Sequence, residues 1–136
     1  MLSIGGFGIT YLGYDLTLEI KVAIKEYMPS ALATRHLDHY SVALTGRVEQ
    51  DFQYGMERFL DEAKILAKLQ STPHIVSVQN YFKENGTAYF VMEYIDGMSL
   101  KAYLSKNGDK IPCDQAIAIL QPIMEALVQV LSLIHI

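Results

Sequence analysis

The chain has no tryptophan, four prolines and a single cysteine, Cys113. One thiol excludes an internal disulfide framework and any site built from several cysteines. It is in keeping with a reducing, cytoplasmic setting. Positive charge is scarce: 11 Lys and Arg stand against 15 Asp and Glu, a net charge of −4. No nucleic-acid partner is therefore expected, because such a partner calls for a basic face. No uninterrupted apolar run reaches the about 18 residues that mark a membrane helix, so no membrane segment is expected within these residues. The first residues lack the basic start of a signal peptide. The expected location is cytoplasmic, with the complete protein left open to membrane anchoring elsewhere. His36, His39 and His74 are not at ligand spacing with one another, and no metal ligands are expected.

What is present is a globular composition. The chain has 136 residues, 51% of them hydrophobic and 19% charged, with a mean hydropathy of +0.17. That is enough for one domain with a hydrophobic core. The apolar excess implies surface that packs on something outside the chain.

Residues 1 to 27 read as β structure. The runs Ile9–Tyr14 and Ile20–Tyr27 flank a turn at Asp15–Glu19. Residues 30 to 50 show no period and are expected to be a connecting insertion. Residues 51 to 70 place Phe52, Met56, Phe59, Leu60, Ala63, Leu66 and Leu69 at a period of about 3.6, which predicts an amphipathic helix with Asp51 as its cap. Asn85-Gly86 between two β-rich runs, 75–82 and 87–94, predicts a hairpin with a tight turn. A short helix around 99–106 and a longer one from about 114 follow.

Three features carry chemistry. Ser3-Ile4-Gly5-Gly6-Phe7-Gly8 is a Gly-rich turn between strands, where backbone N–H groups can approach a polyphosphate. Alone, it is more often an ordinary hairpin turn. Val22-Ala23-Ile24-Lys25 puts a lysine in an apolar strand, where burial calls for an anionic partner. The plain alternative is a lysine at a solvent-facing edge. Glu62 lies three residues after Phe59 and four before Leu66, near the apolar face of the long helix. It could equally reach solvent from the edge of the stripe. Paired with Lys25, it could hold the ammonium where nucleotide phosphates arrive.

The order of these features resembles the small lobe of protein kinases, and among them the bacterial Ser/Thr kinases of eukaryotic-like type. The resemblance rests on Gly5–Leu12, Val22–Lys25 with Glu26-Tyr27-Met28-Pro29, Asp61-Glu62-Ala63 with Leu66 and Leu69, Pro73–Val76, and Tyr89–Tyr94. It implies an α+β fold: an antiparallel five-stranded sheet with helix C, followed by the first helices of the large lobe. The implied activity is transfer of the ATP γ-phosphate to Ser/Thr hydroxyls of a protein substrate, with ATP and Mg²⁺ as cofactors. A pseudokinase or a nucleotide- or partner-binding module without phosphotransfer is the alternative.

By the same resemblance, Ser3, Ile4, Gly5, Gly6, Phe7 and Gly8 form the phosphate cover. Ser3 stands where the first glycine is expected, and Phe7 is the loop-tip aromatic. Thr10 and Ala23 roof the adenine. Lys25 binds the α- and β-phosphates and pairs with Glu62, and Met92 is the gatekeeper that narrows the back pocket. The backbone C=O of Glu93 and N–H of Ile95 hold the adenine edge, the Glu93 side chain being idle. Leu66 and Val78 couple the helix to the hairpin.

The implied organisation is a small lobe over residues 1–95 with the insertion at 30–50. The hinge and the start of the large lobe, with helices D and E, follow over 96–130. The catalytic loop and Mg²⁺-binding motif of the family lie beyond helix E, so this chain alone is expected to be inactive. Leu131-Ser132-Leu133-Ile134-His135-Ile136 matches what a transposon adapter used in DNA library preparation encodes in one frame. These six residues are read as an adapter-derived tail, which codons 131–136 would test.

Overall fold

The early β-rich runs form a hairpin because an Asp and a left-handed residue close the turn between them. Asp15 Oδ1 accepts the N–H groups of Thr17 and Leu18, both at 2.9 Å, and Glu19 turns the chain at φ +55°. In this computed structural model, which describes residues 1–134, the elements run β1 (Ser3–Ile4), β2 (Gly8–Asp15), β3 (Ile20–Tyr27), β4 (Ala33–Arg35), β5 (Val42–Leu44) and α1 (Glu49–Lys68). Then follow β6 (Val78–Glu84), β7 (Thr87–Glu93), α2 (Leu100–Lys106) and α3 (Cys113–Ile134). They divide into two compact units, Met1–Gln70 with Val76–Tyr94, and Ser71–Ile75 with the chain from Ile95 onward.

The first unit holds a five-stranded antiparallel sheet in the order β1-β2-β3-β7-β6. β3 is its middle strand. The β6–β7 turn is the expected Asn85-Gly86, with φ of +54° and +74°. Two left-handed residues in succession match the right-handed twist of the strands they join. β6 begins at Val78, later than the periodicity implied, with an irregular register between Val78 and Asn80.

Helix α1 lays Phe52, Met56, Phe59, Leu60 and Ala63 on one face of the sheet. Tyr27 packs on Phe52 at 5.0 Å, and Phe59 on Phe90 at 4.8 Å between ring centroids. Val78 is buried in this core and Leu66 packs against it, as expected. Each large apolar side chain buried here contributes about 1.5–3 kcal/mol before ordering costs. Gly55 sits inside the helix because a Cβ there would fall on the Tyr27 hydroxyl. That contact outweighs the roughly 1 kcal/mol a helical glycine costs.

Two local expectations change. The helix starts at Glu49, with Val48 as a cap that makes no side-chain bond. Asp51 therefore lies within the first turn, where its charge and that of Glu49 favour the positive end of the helix dipole. The insertion over 30–50 contains a hairpin, β4 paired with β5 through Ala33↔Leu44 and Arg35↔Val42. Strands of three residues are too short to show alternation in sequence.

In the second unit Ser99 Oγ caps α2 by accepting the Ala102 N–H at 3.2 Å. Gln115 of α3 donates to the Tyr103 hydroxyl of α2 at 2.6 Å. α3 leaves Ile117, Leu120, Met124, Leu127 and Val128 largely exposed, which is the uncovered apolar surface that the composition implied. Counting uninterrupted runs also overlooked this helix. Over Cys113–Leu133 it is long and apolar enough by length and composition to cross a membrane, with a mean hydropathy of 1.8. The core helix of a soluble domain passes the same test, and Asp114, Gln121 and Glu125 interrupt the run. His135 and Ile136, the end of the expected tail, lie outside the described residues.

Candidate functional site

Strand register decides which side chains share a face. Thr10 pairs with Lys25, Lys25 with Phe90, and Ala23 with Met92. Cross-strand partners point the same way, as do residues two apart. Thr10, Ala23, Lys25 and Met92 therefore lie on one face of the sheet, the face that carries α1. There Lys25 Nζ donates to Glu62 Oε1 at 3.3 Å. The ammonium also stands 5.8 Å from the Phe59 centroid and 5.4 Å from that of Phe90. The two aromatic faces favour the cation and limit where it can swing. The pair is not sealed from water, since 31% of the Lys25 side chain and 51% of the Glu62 side chain are exposed.

The Gly-rich turn closes on itself through Gly5 N–H to Gly8 C=O at 2.8 Å. Its tip is tied to the chain after β3, with Met28 N–H donating to Phe7 C=O at 3.1 Å and Ser30 N–H to Gly6 C=O at 3.3 Å. The glycines differ in what they serve. A Cβ on Gly8 would overlap the Glu26 carbonyl, so that position is dictated by strand packing. A Cβ on Gly6 would meet nothing within 4 Å, and one on Gly5 only the Gly8 carbonyl at 3.8 Å. Neither is held at positive φ. Internal packing does not require glycine at these two positions, and the lack of a side chain there leaves room for something that approaches from outside.

Beside the pair lies a cavity of 610 Å³, walled by Gly6, Phe7, Lys25, Tyr27, Phe59 and Glu62 among others. Gly-rich loop, lysine and helix carboxylate thus meet at one opening. Thr10, Ala23 and Met92 are on the same sheet face but do not line that cavity. Ser3 and Ile4 form β1, paired with Thr10 and Ile9. Glu93 is not idle: its Oε1 accepts the Ser77 N–H at 3.0 Å, and its own N–H donates to the Ser77 carbonyl at 3.1 Å. Ile95 belongs to the second unit.

One cluster escaped sequence reasoning. Glu26, next to Lys25, faces the other way and is 1% exposed. Its Oε1 accepts from Arg35 Nη1 at 2.7 Å and from the Tyr89 hydroxyl at 3.0 Å. Its Oε2 accepts from Arg35 Nη2 at 2.6 Å and from the Tyr11 hydroxyl at 2.7 Å. Burial alone would raise this carboxyl, but the bonds from Arg35, Tyr11 and Tyr89 outweigh it and hold the group below its ordinary value. Burial and the neighbouring carboxylate push Tyr11 up to about 12. The available signal was a Glu beside Lys25 in a largely apolar strand, with Arg35 nine residues further on in the insertion.

With this arrangement in view, the chain belongs to the protein kinase family: the family described as "Protein kinase domain" matches residues 2–135. Its five-stranded sheet with α1 is the family's small lobe with helix C. Serine/threonine-protein kinase PrkC of Bacillus subtilis is 32% identical over 123 residues, covering 90% of this chain and 16% of that protein. Serine/threonine-protein kinase PksC of Streptomyces coelicolor is 34% identical over 134 residues, covering 93% and 21%. The solved structure "PpkA-294 apo form" superposes with a TM-score of 0.84 at 39% identity, covering 92% of this chain and 44% of that one. The chain thus spans about a fifth or less of these two curated relatives.

Proposed function

We propose that this chain is the ATP-binding portion of a Ser/Thr protein kinase. The observation that carries the reading is the Lys25–Glu62 pair at an opening bordered by Gly6, a glycine that packing does not require. Lys25 has three donors and gives one to Glu62. The remaining two can meet the α- and β-phosphate oxygens, while N–H groups of the turn other than that of Gly5, which Gly8 already engages, cover the polyphosphate. Thr10 and Ala23 would roof the base, with Met92 behind it. The meeting of Gly6, Lys25 and Glu62 at one opening supports the phosphate end of this reading.

The reaction of the whole protein would be in-line transfer of the γ-phosphoryl to a Ser or Thr hydroxyl. Lys25 would contribute position and charge neutralisation. Mg²⁺ would accompany the phosphates. Among the described residues no three His, Cys, Asp or Glu side chains gather as a metal site.

The test is a radiolabelled transfer assay with the complete kinase and a protein substrate, followed by phosphoamino-acid analysis. Phosphoserine or phosphothreonine that disappears in Lys25→Ala is the expected result. Phosphotyrosine as the only product, or transfer untouched by Lys25→Ala, would overturn the assignment.

A further inference from the structure

The Lys25–Glu62 pair cannot set its own geometry. Both side chains are substantially exposed, and such pairs are worth roughly 0–1 kcal/mol. Something else must hold the helix that carries Glu62 at the right distance from β3.

The connection between β3 and α1 is the β4–β5 hairpin, and it is fastened at several points. Leu32 and Thr45 close its base, with Thr45 N–H donating to the Leu32 carbonyl at 2.9 Å. Val42 N–H donates to the Asn85 carbonyl at 2.9 Å, which ties the hairpin to the β6–β7 turn. Ala33 joins the buried core, with Val42 and Leu44 packed against it. Arg35 then reaches the opposite face of the sheet and grips Glu26 with both terminal nitrogens. Its Nη1 also donates to the Tyr40 carbonyl at 2.7 Å, within the hairpin. One buried carboxylate therefore joins β2 through Tyr11, β7 through Tyr89, and the hairpin through Arg35. That carboxylate belongs to the residue adjacent to Lys25.

A buried ion pair is a poor source of net stability, because apolar residues of the same volume often serve as well. What a bidentate Arg–carboxylate pair adds is fixed geometry. We infer that Arg35 is a positioning residue for the Lys25–Glu62 pair: by clamping the hairpin to Glu26 it sets where α1 begins relative to β3. The inference rests on the nucleotide-site reading above and assigns a role to the insertion. Arg35 itself is on the opposite face from Lys25 and touches neither member of the pair.

The test reads Lys25 directly. Its rate of reaction with an amine-acylating reagent is followed by mass spectrometry in the wild type, Glu62→Ala, Arg35→Lys, and the double variant. Lys110, on the second unit, is the internal control. Arg35→Lys keeps the charge and loses the fork, so the fold should persist, which circular dichroism checks. Tyr11→Phe, which removes one bond to Glu26, is a second and milder variant. The expected result is a roughly threefold or larger rise in Lys25 labelling for Arg35→Lys, within the range of couplings in a shared network. A smaller rise is expected for Tyr11→Phe, no change at Lys110, and no further rise when Arg35→Lys is added to Glu62→Ala. Wild-type labelling in folded Arg35→Lys, equal increments with and without Glu62, or wild-type labelling in Glu62→Ala would each overturn the role. ATP titration of the same proteins is a separate readout. Failure of the wild type to bind would sink the nucleotide reading and leave the labelling result standing.

Discussion

Lys25 and Glu26 are consecutive, and their charges engage opposite faces of one sheet: Lys25 reaches Glu62 at 3.3 Å, and Glu26 receives Arg35 at 2.6 Å. The period of two along a strand makes this unavoidable. The two pairs differ in environment. In the first both side chains are open to solvent; in the second the carboxylate is shut away, with Glu26 1% exposed against 25% for Arg35. Their expected responses to mutation differ accordingly.

Glu62→Ala should change stability by less than about 1 kcal/mol in urea denaturation, since the pair is exposed. ATP affinity should fall, because the ammonium loses the partner that holds it. A loss of stability comparable to that of a core truncation would mean that Glu62 serves packing, contrary to its exposure.

Arg35→Ala should cost about 3 kcal/mol, because it leaves the buried Glu26 carboxylate without its cation. The double change Glu26→Leu with Arg35→Met should cost clearly less, since it removes the uncompensated charge and keeps volume. Denaturation midpoints of the single and double variants measure this, and an additive loss would contradict it.

This cluster should contribute to the pH dependence of stability at both ends. The Glu26 carboxyl is depressed in the folded state. Its contribution is therefore present above its unfolded value of about 4.5 and is lost as pH falls through the folded value. Tyr11 is raised from 10.0 to about 12, so its contribution is present below 10 and is lost as pH rises toward 12. Glu26→Gln should flatten the acid limb of the thermal-denaturation profile, and Tyr11→Phe the alkaline limb.

Gly55→Ala should destabilise the chain although alanine favours helix, because its Cβ would fall on the Tyr27 hydroxyl and Tyr27 is fixed among Phe52 and Phe59. Removing that oxygen with Tyr27→Phe should recover part of the loss. Thermal denaturation of the two single variants and the double variant checks the sign.

The site was legible where chemistry and local pattern coincide. Lys25 and Glu62 lie in a strand and a helix with readable patterns, Gly5 lies in a Gly-rich turn between strands, and Asn85-Gly86 demanded its turn. The helix start was misread because Val48 caps without a side-chain bond, so Asp51 offered a false signal. The hairpin was hidden by its three-residue strands. The Glu26–Arg35 clamp was hidden for another reason: its four members come from β2, β3, β4 and β7, and only folding brings them together. Glu93 misled in the same way, since nothing local foretells that its carboxylate caps Ser77.

The central claim is that Lys25, held by Glu62 at the Gly-rich turn, is the phosphate anchor of a nucleotide site. Calorimetric titration of ATP–Mg²⁺ into the wild-type chain and into Lys25→Ala tests it most directly. Saturable binding by the wild type, lost or strongly weakened in a folded Lys25→Ala, is the predicted result. Equal binding by both proteins, or binding by neither, would contradict it.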